Sequence, residues 1–388
     1  MADRIIFKTI KNREDDVLFL VNESESWSPI SVAQVIDDIE SNTHNYYSQR
    51  LDNPIMAIHD KQKGKYLRAK QNNELADNLD ELDEVIGYKR PVFLGDLPSN
   101  KETHYSDSLQ GVTHNNNQWF FTQLTKIHRL DIAMNRQDFE ITHMPQELVD
   151  LGYDHFGDPD YVHYGGHGYL LVPIENGDLG SILGAFRDDI QNNKLIYLGF
   201  SVLEKQTAAL GTNRAGWVAF NPINGLLHSS SNAIDRHKPV FRYAINFPEL
   251  ENGKVVLTPS TDLQLTERGE EHKIAGYMQG GCFSPDGLLY LAYGKTSSDV
   301  RQGISIFNAA GNLIRRSIRR KSFTNTFYYE VHPNFPKYQE VEGITYWNLD
   351  GNIDGQNSHK IKGQLHAILL NLLPGRDNFW FKHFRTEF

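Results

Sequence analysis

Five segments of the chain repeat one pattern, and that repeat limits the available folds more than any other feature. They read "DSLQGVTHNNNQWFFTQL", "DHFGDPDYVHYGGHGYLLVPI", "NRAGWVAFNPINGLLHSS", "YMQGGCFSPDGLLYLAYG" and "QEVEGITYWNLD…GQLHAILLN". Each holds a small residue in a short strand, a turn of Asn, Asp, Gly or Pro, and a second strand of alternating or continuous apolar residues. The repeat glycines Gly111, Gly157, Gly216, Gly280 and Gly343 are 46, 59, 64 and 63 residues apart, a period that suits four-stranded units with inserted loops. Helical periodicity is almost absent from Val92 onward. A unit of this kind cannot bury both faces alone, so its neighbours must stack on it and the series must close on itself.

The expectation is therefore a mainly β chain whose larger part, residues 87–388, is a β-propeller. Five blades are evident, and a sixth depends on whether "KLIYLGFSVLEKQTAALGT" stands as a unit of its own. "RPVFLGDL" from the front and the aromatic "FWFKHF" at the back would meet in the last blade. A pair of β-sandwiches is the alternative, and the repeated opening strand counts against it.

Residues 1–86 read as a small α+β domain. "RIIFKTI" and "VLFLVN" are strand-like, and "WSPISVAQVIDDIES" switches to helical spacing with Val32, Val35, Ile36 and Ile39 on one face and Ser31 as N-cap. "NYYSQ", "PIMAIHD" and "KYLRAK" supply further strands. The order of "WSPISVAQVIDDIES", "NYYSQ" and "KYLRAKQNNELADNLDEL" resembles the bacterial family known as domain of unknown function 3892. That resemblance covers about the first fifth of the chain and implies a domain boundary, with the small domain free to recruit a protein partner.

The formal net charge of −10 and pI of about 5.9 argue against nucleic-acid or anionic-membrane partners, which need excess Lys and Arg. The basic run "RRSIRRK" reads as a solvated face. Cys282 is the single cysteine, so no intramolecular disulfide forms, and it reads as a buried structural thiol. With neither a signal-like nor a membrane-length apolar run, the expected location is the cytoplasm.

The opening strand of each blade lines a central channel, which gathers residues far apart in sequence. The candidates are Gln110, His155, Asp158, Asp160, Trp217, Gln279 and Glu342, with Glu175 and His114 as further members. Carboxylates and amides around one channel mouth suit calcium, so Glu342, Asp158, Gln110 and Gln279 are the expected metal ligands, and His155 and Asp160 the proton-handling pair. A metal-free version would use Asp160 and Glu342 in glycoside hydrolysis. Asp158 reads equally as a turn cap ahead of Pro159. The glycines of "HYGGHG" are those of a hairpin turn needing positive φ, which sets His163 and His167 apart from His155 and disfavours a three-histidine zinc site.

"QEVEGITYW" resembles the gluconolactonase, senescence-marker and paraoxonase group of propellers, in which a Glu followed by Gly holds a metal at the channel floor; Glu342 and Gly343 match that position. The Asn and Asp residues that complete that group's site are replaced here by Gln110, Gln279 and Asp158. The expectation for this single central site is a calcium-dependent hydrolase of an ester, lactone, phosphoester or glycoside. The rival reading is a non-catalytic module that binds a glycan or protein through Trp119, Trp217, Trp347, Tyr161 and Tyr164.

Overall fold

The computed structural model describes residues 2–11, 17–22, 25, 27–49, 54–60, 64–71, 74–76, 79, 82–84, 91–99, 101–134, 141–204, 215–231, 239–267, 270–271, 277–293, 303–317, 339–350, 361–371 and 377–386. The chain divides into two compact units, Met1–Pro91 with Thr386–Phe388, and Val92–Arg385. The boundary expected between residues 86 and 87 lies outside the described residues.

In the first unit the helix Val32–Glu40 forms where the apolar spacing predicts it, with the Ser31 hydroxyl accepting from the Gln34 amide at 3.2 Å. Ala2–Ile6 pairs in parallel with His44–Ser48, while Ile55–Asp60, Gly64–Gln71 and Glu74–Ala76 form an antiparallel sheet. Val35 and Ile36 join Ile6, Leu20, Tyr46 and Ile55 in one core, so the helix is held by its apolar face.

Among the described residues the second unit holds five antiparallel sheets of four or five strands in chain order, beside a small two-stranded ladder of Thr266–Glu267 with Glu270–Glu271. The first runs Leu109–His114, Gln118–Gln123, Lys126–Asp131 and Thr142–His143. In the second, His155–Phe156 and Asp160–Tyr164 both pair with His167–Glu175, followed by Ile182–Asp189 and Lys194–Val202. Lys194–Val202, the segment on which a sixth unit depended, is thus the outer strand of the second sheet, and residues 205–214 lie outside the described residues. The third is Ala215–Phe220, Leu226–Ser231, Phe241–Ile245 and Leu257–Pro259, and the fourth Met278–Phe283, Leu289–Tyr293, Gly303–Phe307 and Leu313–Arg316. Arg315 and Arg316 of the basic run therefore sit on an outer strand, and the rest of that run beyond Ser317 lies outside the described residues.

The fifth sheet joins both ends of the unit: Gln339–Tyr346, Leu365–Asn371 and Asn378–Arg385, then Val92–Asp96 antiparallel to the last, with Asp96 opposite Lys382. This is the meeting of "RPVFLGDL" with "FWFKHF". The innermost strands touch in cyclic order, from Leu109–His114 through Asp160–Tyr164, Ala215–Phe220 and Met278–Phe283 to Gln339–Tyr346 and back to Leu109–His114.

The continuous apolar runs follow from this stacking, because each second strand is covered on both faces. Trp119 and Phe121 pack on Ile368 and Phe381 of the fifth sheet, while Phe120 between them packs on Leu170 and Val172 of the second. Tyr169 and Leu171 face the other way, onto Val218 and Leu227 of the third sheet. The period of two survives, although both faces are apolar.

The repeat glycines sit where the inner strands converge. A Cβ on Gly111 would lie 2.4 Å from the Asp158 Cα, and one on Gly343 2.4 Å from both the Asp158 Oδ1 and the Val112 amide nitrogen. Backbone crowding at the centre, rather than turn geometry, is why glycine recurs at that place in the repeat.

Candidate active site

One cavity of about 150 Å³ lies among the inner strands, lined by Gln110, His155, Gly157, Glu175, Gly216, Gln279, Glu340 and Glu342. Gln110 comes from the first sheet, His155 and Glu175 from the second, Gln279 from the fourth, and Glu340 and Glu342 from the fifth. His155 and Glu175 stand directly opposite each other across an antiparallel pair, so their side chains leave the same face. The His155 Nε2 is 2.8 Å from the Gln110 Oε1, and the Gln279 amide donates to the Glu342 Oε1 at 3.4 Å.

Glu342 is 2 % exposed. Burial first, and then the neighbouring, hydrogen-bonded Glu340 carboxyl, push its pKa well above the usual carboxylate range, with the Gln279 amide opposing them. Two carboxyl groups this close cannot both ionise cheaply, which favours the protonated form of Glu342.

Of the expected site residues, Gln110, His155, Gln279, Glu342 and Glu175 meet in this cavity. Asp158 does not line it. Its side chain is fully buried and its two oxygens are taken up by three backbone amides, Val112 at 2.9 Å, Gly281 at 3.1 Å and Ile344 at 3.2 Å. Its own amide donates to Gly216 and its carbonyl accepts from Val218, so one residue of the second sheet binds the inner strands of the other four. Burial raises its pKa well above the usual value and the three amides pull it back.

Asp160 also turns away from the cavity: its carboxylate accepts from the Tyr161 amide at 2.7 Å and the Phe220 amide at 2.6 Å, bracing the second sheet against the third. Its pKa is raised by burial to about 7. Trp217 is buried with its indole N–H on the Ser230 hydroxyl at 2.8 Å, and the His114 ring stacks on Trp347 at 4.5 Å. Cys282 is buried, and burial raises its thiol pKa well above the ordinary value.

Glu340 is the lining residue that reading the sequence missed. The available signal was its spacing from Glu342, two positions apart on one strand. His163 and His167 flank the turn at Gly165 and Gly166, whose φ values are +58° and +83°. His167 begins the nine-residue strand that ends at Glu175, about 26 Å from the His155 end. Gly168 serves packing instead of the turn, since a Cβ there would strike the Tyr161 hydroxyl at 1.7 Å.

The four expected metal ligands do not fit calcium as placed. The Asp158 oxygens already accept amides, and the Gln110 oxygen faces an imidazole nitrogen. Among the described residues no group of three or more His, Cys, Asp or Glu side chains is arranged to hold a metal. No helix among them is long and apolar enough to cross a membrane.

Residues 6–83 match the family described as "Protein of unknown function (DUF3892)", as the order of their motifs suggested. No curated protein matches the chain. Similar solved structures include a GH43_1 enzyme from Xanthomonas citri, with 12% identity over 73% of this chain and 88% of that one at a TM-score of 0.41. A gluconolactonase from Xanthomonas campestris shows 12% identity over 69% and 68% at 0.32, and a tail fiber of Staphylococcus aureus phage P68 13% over 76% and 53% at 0.42. Likenesses this distant carry no argument about activity.

Proposed function

We propose that Val92–Arg385 is a five-bladed β-propeller whose axial cavity hydrolyses a small neutral substrate, an ester, a lactone or a glycosidic bond. The observation that carries this is the convergence, from separate sheets, of an imidazole and a buried carboxyl, Glu342, whose pKa is raised by burial and by the neighbouring Glu340, on one cavity. Glu342 is the proton donor to the leaving oxygen and His155 the acceptor of the proton from water, two groups whose surroundings suit opposite roles. Among the described residues the lining carries three Glu and no Lys or Arg, which disfavours a phosphoester, since none of them offsets its charge. The reading is metal-free.

The test is turnover by the purified full chain of chromogenic esters, lactones, glycosides and phosphoesters, beside Glu342→Gln. We expect a neutral substrate to turn over and the variant to lose roughly 100-fold or more. Saturable binding of a sugar without turnover of any substrate would replace the hydrolase with a binding module. Calcium added to chelator-treated protein should leave the unfolding temperature unchanged; a rise that Glu342→Gln abolishes would restore the metal site.

A further inference from the structure

The hydrogen bonds around His155 determine which of its nitrogens handles a proton. The Gln110 side chain reaches the Ser108 carbonyl at 3.3 Å on one side and the His155 Nε2 at 2.8 Å on the other. A carbonyl oxygen only accepts, so the end of the amide facing Ser108 is the –NH₂ and the end facing His155 is the oxygen. The amide oxygen in turn only accepts, so the His155 Nε2 must carry hydrogen. Ser108 is itself held: it adopts φ +50°, and its backbone amide donates to the Asp377 Oδ2 at 3.0 Å.

We propose that Gln110 is a positioning residue that keeps the His155 Nε2 protonated, so that His155 takes up and releases its proton only at Nδ1. The chain Asp377, Ser108, Gln110, His155 links the end of the fifth sheet through the first to the second. It fixes the imidazole by orienting an amide. Among the described residues, the charged and titratable groups that share the cavity with His155 are Glu175 opposite it and Glu340 and Glu342 of the fifth sheet.

The inference rests on the proposed site but is tested without turnover. Nitrogen NMR of ¹⁵N-histidine-labelled full chain, with the His155 signals assigned by their loss in His155→Gln, reports each ring nitrogen through a pH titration. We expect Nε2 to remain protonated throughout and Nδ1 alone to titrate. Gln110→Met removes the acceptor and should give a mixture of neutral tautomers. Gln110→Glu keeps the acceptor, adds a charge and should raise the His155 pKa by about one unit or more. A bare Nε2 in the wild-type protein, or an unchanged tautomer in a folded Gln110→Met, would overturn the inference. Failure of every hydrolase substrate, with the nitrogen signals as expected, would instead remove the reaction and leave the positioning intact.

Discussion

At the scale of single residues, Asp158 and Glu342 separate two uses of a buried carboxyl. Both have pKa values raised by burial, yet Asp158 spends its oxygens on the amides of Val112, Gly281 and Ile344, whereas Glu342 faces a cavity beside another carboxyl. Replacing Asp158 by Asn keeps the shape and turns one oxygen into an –NH₂ that points at a backbone N–H. We expect Asp158→Asn to lose about 3 kcal/mol of stability in urea unfolding, because an acceptor is lost and a buried backbone donor is left unmet. A variant of wild-type stability would remove Asp158 from its role at the centre of the sheets. Glu342→Gln should be nearly neutral or stabilising in the same experiment, since it ends a carboxyl–carboxyl repulsion.

At the scale of elements, the sheets are joined by side chains as well as by apolar packing. Asp188, on the third strand of the second sheet, accepts from Arg129 at 2.6 Å and from Asn115 and Tyr161 at 2.9 Å, tying the first sheet to the second. Arg129 and Asp188 have side chains only 3% and 0% exposed, and the guanidinium also lies over the Phe120 ring. Asp188→Ala would leave that charge buried without its carboxylate, which costs about 3–5 kcal/mol. Adding Arg129→Met should recover a large part of the loss, and equal stabilities for the single and double variants would show that the pair is not what holds this junction. On the closing strand, Lys382 of "FWFKHF" pairs with Asp96 at 3.1 Å and lies over Phe93, a contact between chain segments 286 residues apart.

At the scale of the second unit, buried titratable groups of two kinds oppose each other. Burial lowers the pKa of His114, His128, His228 and His383 to about 4, and that of His366 well below its ordinary 6.5. Between about 4 and 6.5 the unfolded chain binds protons that these folded imidazoles refuse, so they make stability fall as pH falls. Asp160, raised to about 7, and Asp158 and Glu342, also raised, act in the opposite sense: the folded carboxyls keep protons that the unfolded ones release, so stability falls as pH rises above about 4. Five imidazoles outweigh three carboxyls below pH 6.5, and above it only the carboxyls still act. The unfolding midpoint, followed by the fluorescence of the buried Trp119 and Trp217, should therefore peak near pH 6.5. Stability that goes on rising toward pH 4 would contradict the imidazole assignment.

Local periodicity determined the strand-rich character, the helix capped by Ser31, the hairpin at Gly165 and Gly166 and the two segments that close the fifth sheet. These depend on neighbours in the chain, or on apolar runs that any partner can cover, and so they are written in short stretches of sequence. The membership of the cavity was decided elsewhere. The residues at the centre of the sheets are brought together across separations such as the 186 positions between Asp158 and Ile344, and there the backbone amides compete with every ligand for the same carboxylate oxygens. In "GDPD", Asp158 reads as a metal ligand or a turn cap and Asp160 as a proton-handling residue until those amides are counted, and Glu340 draws no attention until Glu342 is found beside it. Whether a polar side chain serves the backbone or faces the cavity depends on which strands converge on it, and only the tertiary structure sets that.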